Sequence, residues 1–199
     1  MSRYFDNDPS LPHEDCSYSF EIASRRFTIS SDSGVFSKGG LDDGSRLLLE
    51  TIVKTDLGTN ILDLGCGIGP IGLVLACFDP KRHVVLADVN LRALQKAKEN
   101  AAALGVESQV EVVESDVYSS LEKQTFSTIV TNPPIRAGKK VTYAMYAGAL
   151  SHLNEGGRLI LVIRKQQGAS SCKAYLESLY SKVELAAQKK GYRILIATK

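Results

Sequence analysis

From residue 60 onwards, short apolar segments alternate with helical patterns, and several of those segments end on glycine, acid or Asn-Pro. Strand patterns fall at 61–64, 84–88, 110–113, 128–130, 157–163, 183–187 and 192–197, and helical patterns at 71–78, 91–104, 141–153 and 170–180. Such alternation predicts a doubly wound α/β fold, a mostly parallel sheet with helices on both faces. The link at 188–191 is too short for a crossover, so the last two strands must pair antiparallel and give the sheet an antiparallel edge. Upstream, residues 17–22 and 26–30 alternate polar and apolar and predict an N-terminal β-hairpin joined by Ala23-Ser24-Arg25. Residues 33–40 are rich in turn formers, and Asp42 or Asp43 can cap a helix running to about residue 54.

The length of 199 residues predicts one domain: a hairpin and loop over 1–40, then a cofactor-binding core over 41–199. Its 24 basic and 22 acidic residues leave a net charge of +2, so a polyanionic partner would have to be met by local basic clusters. The longest apolar run, 71–78, falls far short of the roughly 20 residues that span a membrane. Acids stand near the start where a signal peptide would be apolar, which predicts a cytoplasmic protein. Cys16, Cys66, Cys77 and Cys172 contain no C-x-x-C pair and have three histidines to assist them, so no metal site is expected.

Ligands of doubly wound sheets sit beyond the carboxyl ends of the strands, at the switch in strand order. The first strand runs into Asp63-Leu64-Gly65-Cys66-Gly67-Ile68-Gly69-Pro70, and residues 67–72 satisfy G-x-G-x-x-G. Glycines there let backbone approach a ligand, and Asp88, 21 residues after Gly67, can accept from a ribose diol. These features indicate an adenosine-type cofactor without choosing between NAD and S-adenosylmethionine. Two acids favour the latter. Asp63 suits a cationic amino-acid moiety and would repel a pyrophosphate, and Asp116, after the third strand, can accept from an adenine amino group.

The fourth strand ends in Asn132-Pro133-Pro134-Ile135. Two prolines forbid helix and remove backbone donors, leaving an acceptor-rich notch beside the Asn132 amide oxygen. Such a notch suits an exocyclic NH₂. Holding its N–H bonds would aim the nitrogen lone pair at an electrophilic methyl, with no covalent nucleophile needed.

Asp63-x-Gly65-x-Gly67-x-Gly69, Asp88 and Asn132-Pro133-Pro134 resemble the class I S-adenosylmethionine-dependent methyltransferases that modify exocyclic amines. Residues 34–42 (GVFSKGGLD) and 132–139 (NPPIRAGK) are similar to the small stand-alone relatives of the small-subunit rRNA guanine-N2 methyltransferase C family, and the resemblance covers nearly the whole chain. It implies a seven-stranded Rossmann-like sheet, S-adenosylmethionine as donor and ribosomal RNA or the small ribosomal subunit as partner. It further implies that Gly65, Gly67 and Gly69 line the methionine end with Asp63 in support. Asp88 would take the ribose and Asp116 the adenine, with Cys66, Val89 and Val117 beside them. Asn132, Pro133 and Pro134 would form the catalytic notch, where Asn132 also borders the cofactor. Phe36, Lys38, Ile135, Arg136 and Lys139 would meet the substrate.

One departure stands out. The broader pattern has Tyr or Phe after the prolines, stacking on the target base; here the position is Ile135. Phe36, Tyr143 and Tyr146 are the candidates to replace that ring. Arg136, Lys139 and Lys140, and Arg164-Lys165, are candidate RNA contacts at strand ends, while Lys189-Lys190 and Arg25-Arg26 read as solvated charge. An NH₂ on any planar group fits the notch, so adenine N6 and a protein glutamine remain alternative acceptors. A non-catalytic cofactor-binding module and a nicotinamide-dependent reductase are further alternatives. The first leaves an intact Asn132 without purpose, and the second leaves Asn132-Pro133-Pro134 unexplained.

Overall fold

A computed structural model describes residues 15–32 and 40–199. Strands β1 (Asp15–Ile22) and β2 (Arg25–Asp32) form a two-stranded antiparallel hairpin. The expected three-residue link is two residues long: Ala23 and Ser24, with φ of 48° and 65°, form the turn in the left-handed conformation that matches strand twist. Phe20, Ile22, Phe27 and Ile29 point inward and are buried in the main core, which is what the alternating pattern dictates.

Helix α1 (Asp43–Ile52) leads to β3 (Asn60–Leu64), α2 (Pro70–Phe78), β4 (His83–Asp88), α3 (Leu91–Ala103), β5 (Val110–Glu114) and β6 (Phe126–Thr131). Then come α4 (Lys139–His152), β7 (Leu153–Arg164), α5 (Ala169–Glu177), β8 (Lys182–Lys189) and β9 (Tyr192–Thr198). The seven-stranded sheet has the order β5-β4-β3-β6-β7-β9-β8. Strands from β5 to β7 are parallel, and β9 is antiparallel to both its neighbours. Ile61, Val84, Leu86 and Val130 fill one face, and Leu62, Leu64, Val85, Ala87 and Ile129 the other. Burial on both sides explains why β3 and β4 are almost wholly apolar, with Asp63 the one acid inside β3.

The expected antiparallel edge is refined in one respect: the antiparallel strand is β9, and it lies inside the sheet while β8 forms the edge. Composition decides this. Ile194, Leu195 and Ala197 are buried, whereas β8 turns Lys182, Glu184, Gln188 and Lys189 to solvent and bulges between Leu185 and Ala187. A charged, bulged strand tolerates an unpaired edge, and an apolar one does not.

The chain runs outward from β3 to β5, then crosses back to place β6 on the other side of β3. The carboxyl ends of β3 and β6 therefore flank the switch point. The hairpin is fastened to the same end of the sheet. Arg92, on α3, forms a bidentate pair with the fully buried Asp32 (Nε–Oδ2 2.9 Å, Nη2–Oδ1 2.8 Å). Asn100 donates to the carbonyls of Ser30 (3.0 Å) and Ile68 (3.1 Å), tying β2 to the glycine loop.

Candidate active site

The switch crevice is built in register. Asp63 lies opposite Leu86 on β4 and Val130 on β6. Two residues further along each strand stand Gly65, Asp88 and Asn132, on strands spaced about 4.8 Å apart. The glycine loop and the Asn-Pro-Pro turn thus leave neighbouring strand ends.

In the loop, Gly65 and Cys66 donate to the Ala87 carbonyl (2.8 and 3.1 Å), and Gly67 donates to Asp88 Oδ2 (2.8 Å). Gly69 caps α2 with a φ of 86°, a left-handed conformation that hands the chain to Pro70 at the first helical position. Gly72 is required by space: a Cβ there would lie 2.3 Å from Leu86 Cδ2 and 3.1 Å from Asp63 Oδ2. That close approach lets the Gly72 N–H reach Asp63 Oδ2 at 2.8 Å.

Asp63 is 1% exposed, and its Oδ1 has no hydrogen-bond partner. Burial pushes its carboxyl up to about 7, opposed by the Gly72 N–H and reinforced by Asp88. A buried acceptor with no donor favours a cationic group. Residues 63–72 contain no Lys or Arg and are flanked by Asp63 and Asp88. This donor set fits the ammonium and sulfonium of S-adenosylmethionine and does not fit a pyrophosphate.

Asp88 is buried, and Asn90 donates its N–H to Oδ1 at 3.0 Å. Both oxygens hold backbone, so Asp88 shapes the loop. Asp116 is exposed, and its backbone N–H donates to Ser119 Oγ (3.1 Å). Val117 beside it has φ 54°, a strained conformation for a β-branched residue. The loop holds it there: Ser115 Oγ donates to the Val117 carbonyl (3.0 Å) and accepts from the Ser120 N–H (3.2 Å). Val89 is half-buried. Cys66 is buried with its thiol on the Gly67 carbonyl, and burial pushes that thiol well above its ordinary range, so it is no ready nucleophile.

Asn132 is half-buried after β6. Its Nδ2 donates to Ser45 Oγ (3.0 Å) and lies 3.3 and 3.4 Å from the two carboxylate oxygens of Asp42. A carboxylate only accepts, so the amide is fixed with nitrogen inward and Oδ1 outward. Pro134 has φ −74° and ψ 77°, an inverse γ-turn in which the Pro133 carbonyl accepts the Ile135 N–H at 2.8 Å. One lone pair of the Pro133 carbonyl is therefore engaged, and the Pro134 carbonyl accepts from Ala137 (2.8 Å).

Ile135 is half-buried, with Arg136, Lys139 and Lys140 exposed beside it. Phe36 and Lys38 lie outside the described residues. Of the aromatic replacements considered for Ile135, Tyr146 is excluded: it is 1% exposed, within the core. Tyr143 stacks on Tyr175 of α5 at 4.1 Å. His152 stacks on Tyr118 (4.5 Å), and His83 begins β4 at the opposite end of the sheet. The contacts of Asn132 with Asp42 and Ser45 were not indicated by the sequence pattern. Asp42, which the sequence offers as the cap of α1 and as the last residue of the 34–42 motif, is that cap, accepting from Gly44 (2.9 Å) and Ser45 (3.0 Å). No helix of the described residues is long and apolar enough to cross a membrane.

Comparison with known proteins places this geometry in context. The chain is 44% identical over 197 residues to the uncharacterized protein YbxB of Bacillus subtilis, covering 98% of each. It is 40% identical over 139 residues to Ribosomal RNA small subunit methyltransferase C of Erwinia tasmaniensis, covering 68% of this chain and 40% of that protein. Among solved structures, the T. thermophilus 16S rRNA N2 methyltransferase RsmC, in complex with AdoMet and guanosine, superposes with a TM-score of 0.84 at 29% identity. That match covers 96% of this chain and 52% of the other. The chain thus spans less than half of the Erwinia protein and about half of the T. thermophilus chain. Residues 26–196 match the methyltransferase small domain, and the chain belongs to that family.

Proposed function

We propose that this protein is an S-adenosylmethionine-dependent N-methyltransferase that modifies the exocyclic amine of a nucleobase in RNA, with guanine N2 of ribosomal RNA as the acceptor. The observation that carries the reading is the orientation of Asn132. Both amide N–H bonds are directed at Asp42 and Ser45, which leaves the carbonyl oxygen as the acceptor for an incoming amine. The two relatives named for rRNA methylation support the choice of substrate.

S-adenosylmethionine supplies an electrophilic methyl carried on a sulfonium. Asp63 and Asp88 provide the negative charge that such a cation requires, and the glycine loop supplies backbone close to it. Asn132 Oδ1, with the remaining lone pair of the Pro133 carbonyl, accepts the N–H bonds of the target amine. This holds the nitrogen lone pair, otherwise delocalised into the ring, towards the methyl. The surplus proton on nitrogen leaves to water after transfer. Positioning of this kind lowers part of the barrier without a covalent nucleophile.

Charge distribution supports an RNA partner. Arg136, Lys139, Lys140, Arg164 and Lys165 follow β6 and β7 at the crevice end of the sheet, and none forms an ion pair among the described residues. Lys189 and Lys190 sit at the same end but are paired with Glu50 (3.7 Å) and Asp43 (3.0 Å). In a duplex one N2–H is held in the base pair and the face carrying the nitrogen lone pair is covered by stacking, so the target must be unpaired or flipped out.

The test is incubation with methyl-labelled S-adenosylmethionine and separated rRNA, tRNA and protein fractions, followed by nucleoside and amino-acid analysis. Label recovered as N2-methylguanine in rRNA is expected. Label in N6-methyladenine or methylglutamine would replace the acceptor, and no transfer to any fraction would overturn the reading.

A further inference from the structure

We infer that Asp42 is a positioning residue that fixes the rotamer of Asn132, so that the helix cap of α1 also sets the polarity of the acceptor notch. The inference rests on the proposed amine-methyltransferase reading and names a residue on a different element, 90 positions away in sequence. One carboxylate has three backbone or side-chain donors around it. Oδ1 accepts from the Gly44 and Ser45 N–H groups at 2.9 and 3.0 Å, and both oxygens face Asn132 Nδ2 at 3.3 and 3.4 Å. Ser45, 3% exposed, takes the other amide proton at 3.0 Å.

The amide of Asn can rotate by half a turn and exchange oxygen for nitrogen at almost no steric cost. Flipped, it would present an NH₂ to the crevice and repel the N–H bonds of an incoming amine. Of the two side chains that meet the amide nitrogen, only Asp42 forbids this, because a carboxylate accepts and cannot donate, whereas the Ser45 hydroxyl can do either. Two further contacts hold α1 in place for the task. Gly44 lies against the Tyr192 ring so closely that a Cβ would meet it at 2.8 Å, and Lys190 pairs with Asp43.

Asp42→Asn separates the two duties of the residue. Asn is as good a cap as Asp, so its oxygen stays with the Gly44 and Ser45 N–H groups. The new NH₂ then faces Asn132 and flips it. The expected result is a fall in kcat of at least 30-fold, with S-adenosylmethionine affinity within twofold and thermal midpoint within a few degrees of wild type. Adding Asn132→Asp to that variant exchanges donor and acceptor across the contact. One carboxylate oxygen accepts from the new NH₂ and the other faces the crevice, so kcat should recover at least tenfold over Asp42→Asn alone. In the wild-type background Asn132→Asp sets two carboxylates against each other and should lower kcat.

A merely structural role for Asp42 predicts no such reversal. The inference is overturned if Asp42→Asn keeps kcat within threefold, or if the double variant is no more active than the better single variant. If wild type transfers methyl to nothing, or Asn132→Ala transfers as well as wild type, the functional reading fails instead. Asn132→Ala inactive with Asp42→Asn active condemns the positioning role alone.

Discussion

Asp63→Asn should flatten the pH dependence of folding that this carboxyl creates. The group titrates near its ordinary 3.8 in the unfolded chain and at about 7 in the folded one, chiefly because burial removes it from water. Between those values the folded state keeps a proton that the unfolded state has released. The stabilisation from this group is therefore complete below pH 4 and lost as pH rises to about 7. Three pH units at 1.36 kcal/mol each give about 4 kcal/mol across the window. The variant cannot titrate, but its amide nitrogen takes the position of the partnerless Oδ1, a pH-independent cost of about 1–3 kcal/mol. The diagnostic is consequently a slope and not a sign. Urea unfolding of both proteins from pH 4.5 to 8.5 should show the difference in stability, variant minus wild type, rising by about 1.4 kcal/mol per pH unit up to pH 7 and flat above it. Saturating S-adenosylmethionine should shift the wild-type break to lower pH, because a bound cation favours the ionised carboxyl. A stability difference that does not change between pH 5 and 8 would refute the assignment of the proton to Asp63.

Three other outcomes test separate parts of the account. Gly72→Ala places a methyl 2.3 Å from the buried Leu86 and should destabilise by about 1–3 kcal/mol while weakening cofactor binding, measured by thermal unfolding and calorimetry. Ala23→Asn with Ser24→Gly should stabilise by about 1–2 kcal/mol at unchanged kcat, since both positions hold left-handed backbone that Asn and Gly adopt with less strain. Arg164→Glu with Lys165→Glu should weaken RNA binding at every sequence and reduce the salt dependence of log K by roughly one per lost phosphate contact, whereas Lys190→Glu, which removes an already paired charge, should leave that slope unchanged.

The architecture was legible because each of its decisions was local. Buried strands read as almost wholly apolar runs, an amphipathic hairpin reads as alternation, and a link of a few residues after β8 can only reverse the chain. The position of β9 inside the sheet was legible in principle too, since Tyr192–Thr198 is more apolar than Lys182–Lys189. That comparison of two adjacent strands, and not the order in which they are made, decides which one takes the edge.

The site divides along the same line. Asp63, Gly65, Asp88 and Asn132 announce themselves because each lies at or next to a strand end, and strand ends at a switch point converge whatever the loops between them do. What sequence spacing could not convey is who faces whom. Asp42 carries a complete local explanation as a helix cap, and although it closes the 34–42 motif, nothing in that pattern names Asn132 as its partner. The pairing exists only because α1 packs with its amino end against the carboxyl end of β6, a contact between segments 90 residues apart. The same logic explains Tyr146. Its spacing from Tyr143 on α4 was compatible with facing the site, but α4 turns that position into the core beneath Cys172 and Tyr180, where its carbonyl accepts the Tyr180 hydroxyl at 2.6 Å. A residue whose local role is already satisfied is thus the place where tertiary structure can add chemistry without leaving a trace in the sequence. Asp42 is the instance here: the acid that caps a helix also lies against the amide nitrogen of Asn132, the contact on which the proposed positioning role rests.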